Sequence, residues 1–285
     1  MRARRRNTRP ATPVTPSTVR QGGYVQLVST NGVPAPLQLP PYVSQKLERS
    51  PLVLVAVQVN FEEVGDLTHG QARAVQKRLG SSWASLQVAP QMRFTFTPAG
   101  PVQENKNAYR LESVDGWSLM LNSDSVTLET QKYEGWQTMA TVFKAVAETV
   151  ATVFDPSQCL RLGMRFIDQV PMPDGQQDWR GLIRESVRGL VDDTTFGSAV
   201  LGSDQRQLLL LESDARCMFH HGLLADEGAE GPRKYLLDYD VFREIPMPFT
   251  VDDVTQTAEI LHGYTGALFR ASLEDDLYLW LKGVK

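Results

Sequence analysis

The chain has only two cysteines, Cys159 and Cys217, and neither sits in a Cys-x-x-Cys pair or at ligand spacing from one of the four histidines. A disulfide scaffold and a zinc knuckle are therefore excluded as organising devices, and the usage fits a reducing cytosol. Long apolar runs are missing too. The longest, Leu52 to Val57, stops at Gln58, far short of the roughly 20 residues that span a bilayer. No membrane partner is expected. Five arginines stand in the first nine residues, Arg2, Arg4, Arg5, Arg6 and Arg9, with no apolar stretch behind them. That pattern does not make an export signal, so the expected setting is cytoplasmic.

An excess of one charge is also absent: 29 basic against 33 acidic residues give a net charge of −4. This balance argues against a whole-surface nucleic-acid binder and confines any basic footprint to the N-terminal arginines, which offer salt-sensitive phosphate contacts. The short signatures of catalysis are missing as well. There is no Gly-x-Ser-x-Gly, no Gly-rich phosphate loop ending in Lys-Ser or Lys-Thr, and no His-Glu-x-x-His. No cofactor or resident metal is expected. Catalysis itself stays open, because triads assemble from distant residues.

What is present is an ordinary globular composition, 42% hydrophobic and 22% charged, with enough length for a sizeable core. Residues 1–48 are rich in Pro, Thr and Arg and read as a flexible arm. From Leu52 to Phe61 a run of alternating valines predicts a buried strand, and Thr68-x-x-Gln71 predicts a capping box that opens a helix. Alternation then predicts a meander through Met92 to Phe96, Tyr109 to Glu112, Trp117 to Leu121 and Val126 to Glu129, with Asn122 to Ser125 as a tight turn. At Trp136 the apolar period changes from 2 to 3.6, and Met139, Phe143, Val146 and Val150 form the face of a helix ending at Asp155-Pro156.

Cys159 to Asp168 returns as a strand. Beyond it Asp178 is expected to cap a helix, strands are expected at 208–211, 216–223 and 234–242, and Thr250 should cap a last long helix. The fold class is α+β: antiparallel meander sheets, each covered by a long helix, as two pseudo-repeated halves at 49–170 and 171–285 that either stand apart or form one continuous domain.

Several segments together resemble a family of sporadically distributed bacterial proteins of unknown function. They are the Ser50-Pro51-Leu52 strand start, the Trp117-to-Trp136 hairpin, the run from Arg161 to Asp168, Leu261-His262 and Phe269-Arg270. The resemblance covers residues 47 to 281 and is most specific at Arg161-Leu-Gly-Met-Arg-Phe-Ile-Asp168, where Asp168 stands in place of the commoner Asn. It implies an α+β fold and a bacterial cytoplasmic setting, points to accessory or defence-type loci, and implies no activity.

Arg161 and Arg165 are four apart on a strand and share its outer face, with Gly163 between them. Together with Arg93 and Arg110 they mark a guanidinium-bearing sheet surface that suits a protein partner or an anionic ligand. The ordinary alternative is cross-strand pairing with Glu62, Glu112 or Glu129. Alanine at both Arg161 and Arg165 is expected to abolish partner capture and spare the thermal melt. The principal expectation is thus a non-enzymatic binding module. The alternative is a hydrolase or nuclease using His220 or His221 with Asp238, Asp240 or His262, since residues 238 and 240 share a face. Nucleic-acid binding through the arginine arm is the third expectation.

Overall fold

A computed structural model describes residues 17–21, 24–28, 34–89, 91–97, 100–225 and 233–284. The arginines at 2, 4, 5, 6 and 9 lie outside them, as does the side chain of Arg93. Two short strands, β1 (Ser17–Gln21) and β2 (Tyr24–Val28), form an antiparallel ribbon of their own. The central strand β3 (Leu52–Phe61) follows, with Val55, Val57, Val59 and Phe61 all buried on one side as the valine alternation predicts.

Helix α1 (His69–Leu79) begins at the expected capping box: Thr68 accepts from the Gln71 amide, and the Gln71 side chain accepts from the Thr68 amide. Satisfying two orphan donors reciprocally fixes where the helix starts. Next come β4 (Ser85–Val88) and a separate ribbon of β5 (Gln91–Thr97) and β6 (Gly100–Lys106). The stretch at Met92 to Phe96 is therefore a strand, but it pairs with β6 alone and stands apart from the meander.

The meander proper is β7 (Tyr109–Glu112), β8 (Trp117–Leu121) and β9 (Ser125–Thr130). Its last turn closes at the predicted place, where the Asn122 amide donates to the Ser125 carbonyl at 2.9 Å. Helix α2 (Trp136–Val153) buries Met139, Phe143, Val146 and Val150, the face set by the 3.6 period. Each such side chain contributes about 1.5–3 kcal/mol on burial. Strand β10 (Gln158–Pro171) then pairs with β3 on one side and with β13 (Lys234–Arg243) on the other.

Between β10 and β13 lie a four-residue helix α3 (Glu185–Arg188) and strands β11 (Gln205–Leu210) and β12 (Arg216–Leu223). The helix expected from Asp178 is corrected to that single turn. Gly181 and Gly189, both at positive φ, interrupt the run, and Trp179 turns fully inward instead of along a helix face. The Asp178 carboxylate binds Arg180, and it is Asp192 that accepts from the Trp179 amide.

A two-residue β14 (Met247–Pro248), the long helix α4 (Val251–Ser272) capped by Thr250, and α5 (Asp275–Leu281) complete the chain. The main sheet is ten-stranded and antiparallel, ordered β11-β12-β13-β10-β3-β9-β8-β7-β4 with β14 beside β10. Strands from both halves of the chain thus share one sheet, joined where β10 pairs with β13. Helix α4 packs on β10 and β13, and α2 packs on α4 and α1. Their buried residues join one continuous core with Tyr235, Tyr239 and Leu237 of β13. Residues 34–49 run alongside this core: the Leu37 amide donates to Leu210, Tyr42 lies against Gly266, and the Arg49 amide donates to Leu281. Among the described residues no helix is long and apolar enough to cross a membrane.

Candidate functional site

Alternation divides the central strands into two faces. On one, Val57, Met164, Tyr239 and Cys217 enter the core. On the other, Gln58, Arg161, Arg165, Asp240, Met218 and His220 remain half-buried or exposed. Arg161 and Arg165 do share that outer face, and the register brings β13 beside them. Asp240 stands opposite Arg165, and Asp238 opposite both Ile167 and His220. Arg165 reaches the diagonal neighbour Asp238, a normal separation for long side chains across a sheet, while Arg161 extends further along β13 to Asp240.

Arg165 grips Asp238 in a two-pronged pair, Nε to Oδ1 at 2.8 Å and Nη2 to Oδ2 at 2.7 Å. Arg161 donates to Asp240 at 3.0 Å and to Gln58 at 3.2 Å, with its guanidinium 4.7 Å from the Phe242 ring centroid. The chain's own carboxylates therefore occupy both forks. Gly163 does not leave an open notch either, because the Arg161 guanidinium folds over the place a side chain there would take. Arg110 is paired as well, with Glu112 and Glu129 at 3.2 Å each, while Glu62 accepts from Ser157 and Gln158.

His220 lies between two carboxylates, with Nε2 3.0 Å from Asp204 and Nδ1 3.5 Å from Asp238. Burial holds the Asp240 carboxyl above its usual range in spite of Arg161, and hydrogen bonding to Asp238 raises Arg165. The histidine candidates do not converge. His220 belongs to the outer face with Asp238 and Asp240, whereas His221 and His262 lie within the core. His221 meets Gln207 and Tyr235; His262 stacks on Trp136 with ring centroids 4.3 Å apart and touches the Tyr133 hydroxyl. Burial lowers both to about 4, so both are neutral near pH 7.

A constellation of His220 with Asp238 and Asp204 does form, but both ring nitrogens face carboxylates. Neither nitrogen is placed to take a proton from a third molecule. Among the described residues no cluster of three or more His, Cys, Asp or Glu is arranged to hold a metal ion. Asp168 lies on the core side of β10 with 5% exposure, and burial, aided by the charge of Asp238, pushes its carboxyl up to about 8. Near pH 7 it is an acid that can donate, the capacity an Asn would have at this position.

Asp204, Gln58 and Phe242 were missed by sequence reasoning. Their roles depend on which strand lies beside which, and no local pattern carries that. No family model matches the chain, and no curated protein matches it in sequence.

Proposed function

We propose that the protein is a binding module whose half-exposed sheet face receives a protein partner. One observation carries this reading: the outer face joins compensated charges, Arg161 with Asp240 and Arg165 with Asp238, to exposed apolar side chains, Met218 at 38% and Leu208 at 57% exposure. A small anion gains little there, since carboxylates already fill the guanidinium forks. A protein surface gains by covering the apolar residues and meeting the paired charges with polar groups of its own.

Within this proposal residues 49–170, with α1, α2 and the strands from β3 to β10, and residues 171–285, with β11, β12, β13 and α4, are two pseudo-repeated halves, each sheet portion covered by its long helix. That arrangement leaves the outer face available. The family resemblance, with its bacterial cytoplasmic setting, stands as part of the same proposal.

The test is affinity capture from the host lysate with the intact protein and with a Leu208→Glu/Met218→Glu variant, prey being identified by mass spectrometry. A prey that the native protein holds and the variant releases, with the thermal midpoint unchanged within about 2 °C, supports the reading. A prey held equally by both ends it.

A further inference from the structure

On the opposite side from that face, β11 and β12 meet α3, α4 and the extended segment at 37–39 around a cleft of about 490 Å³. This lies within the roughly 300–1,000 Å³ typical of small-molecule sites. Leu39, Val187, Leu209 and Phe219 supply an apolar lining, interrupted by the His221–Gln207 pair and by Ser186 and Ser272, of which Ser272 is already engaged, accepting from the Tyr239 hydroxyl and donating to the Leu268 carbonyl. The segment at 37–39 is tied across the mouth by the Leu37 amide bonding Leu210 at 2.8 Å and the Gln38 side chain bonding Glu212 at 2.8 Å.

The hydrogen-bond pattern fixes what the polar pair offers. The Tyr235 hydroxyl spends its only proton on the Val187 carbonyl at 3.0 Å, so its oxygen accepts from His221 Nδ1. His221 Nε2 is then a bare acceptor. The amide of Gln207, 2.9 Å away, must turn its NH₂ end to that nitrogen, and the end assigned as oxygen is interchangeable with it. The Gln207 oxygen is thereby left at the wall of the cleft as an acceptor. Among the described residues Arg184 is the cleft's one cation, and it faces Glu274 at 3.7 Å, so no uncompensated charge among them stands at the rim.

We infer that this cleft is a binding site for a small, neutral, mainly apolar molecule carrying one hydroxyl, the hydroxyl donating to Gln207 and the apolar body lying between Leu209, Phe219 and Val187. The inference concerns a different face from the proposed partner surface and does not depend on it.

The intact protein is titrated with 1-naphthol and 1-decanol, and with naphthalene and 1-naphthoate for comparison, by calorimetry and ligand-observed NMR. Saturable binding of at least one of the two alcohols is expected. Gln207→Leu should weaken the bound alcohol about tenfold and leave naphthalene unchanged, while Leu209→Trp, which fills the cleft, should remove binding. If Leu209→Trp fails to fold by circular dichroism, Val187→Phe serves the same purpose. No saturable binding of either alcohol, or undiminished binding in a folded filled variant, overturns the site. Tighter binding of 1-naphthoate than of 1-naphthol overturns the neutral class, and an unchanged alcohol affinity in Gln207→Leu overturns the assigned hydrogen bond.

Discussion

Removing either partner of the Arg165–Asp238 pair should cost unequal amounts, and the structure fixes the order. Asp238 is 5% exposed and Arg165 49% exposed at the side chain. Arg165→Met keeps most of the apolar stem but strands a buried carboxylate whose remaining close neighbour is the His220 ring at 3.5 Å. Breaking a buried pair in this way costs about 3–5 kcal/mol, and with Arg165 half-exposed the lower figure, about 3 kcal/mol, is expected. Asp238→Asn strands a guanidinium that water already reaches, so its loss should be about 1 kcal/mol. At roughly 2–4 °C per kcal/mol, the two thermal midpoints should differ by about 4–8 °C.

Urea unfolding at pH 7 measures both losses. Replacing both residues together, Arg165→Met with Asp238→Leu, should cost less than Arg165→Met alone. Equal losses from the two single variants, or a larger loss from Asp238→Asn, would refute the argument. The same reasoning revises one expectation from sequence: alanine at both Arg161 and Arg165 should lower the melt, because it leaves Asp238 and Asp240 without their cations.

Further outcomes follow from burial. His221 and His262, lowered to about 4, make stability rise with pH between about 4 and 6.5, while Asp168, raised to about 8, makes it fall between about 4 and 8. Two rising contributions against one falling place the maximum from these groups near pH 6.5, and Asp168→Asn should flatten the alkaline decline in thermal scans from pH 6 to 9. Gly266→Ala puts a methyl group into the Tyr42 ring, whereas Gly263 has open space around it. The first substitution should speed protease cleavage within residues 34–48, and Gly263→Ala should stabilise α4 by about 0.5–1 kcal/mol. Cys159 and Cys217 are buried, with burial raising the first thiol to about 11 and the second further. A thiol reagent at pH 8 should modify neither until denaturant is added.

Much of the fold was legible because its elements carry local signals. The valine alternation in β3, the Thr68 box of α1, the change of period at Trp136 and the Thr250 cap of α4 each write their structure within a dozen residues. The segment after Asp178 was misread because its apolar spacing mimics a helix while two glycines at positive φ break it. The candidate site was half legible. Alternation placed Arg161, Arg165, Asp238 and Asp240 on faces correctly, but pairing them needed the β10–β13 neighbourhood, which brings Arg165 to Asp238 across 73 positions and Arg161 to Asp240 across 79. Glu112 and Glu129, weighed as partners for Arg161 and Arg165, belong to Arg110 on the far side of β9, and Asp204 enters only through the β11–β12 register.

The pairing of the arginines changes what a partner can gain from this face. A guanidinium already held by a carboxylate gives up little further Coulomb energy to a newcomer, and covering the pair removes water from both charges. Charge at this surface should therefore select among partners and fix their register more than it adds affinity. The affinity has to come from apolar contact, and Leu208 and Met218 are exposed apolar groups beside the ladder. If so, Leu208→Glu/Met218→Glu should raise the dissociation rate of the captured partner far more than Asp204→Asn, which loosens only His220 and Arg206. Raising the salt should slow association and leave dissociation nearly constant. A complex whose lifetime shortens steeply with salt would instead mean that the ion pairs themselves open to the partner, and the division between selection and affinity would fail.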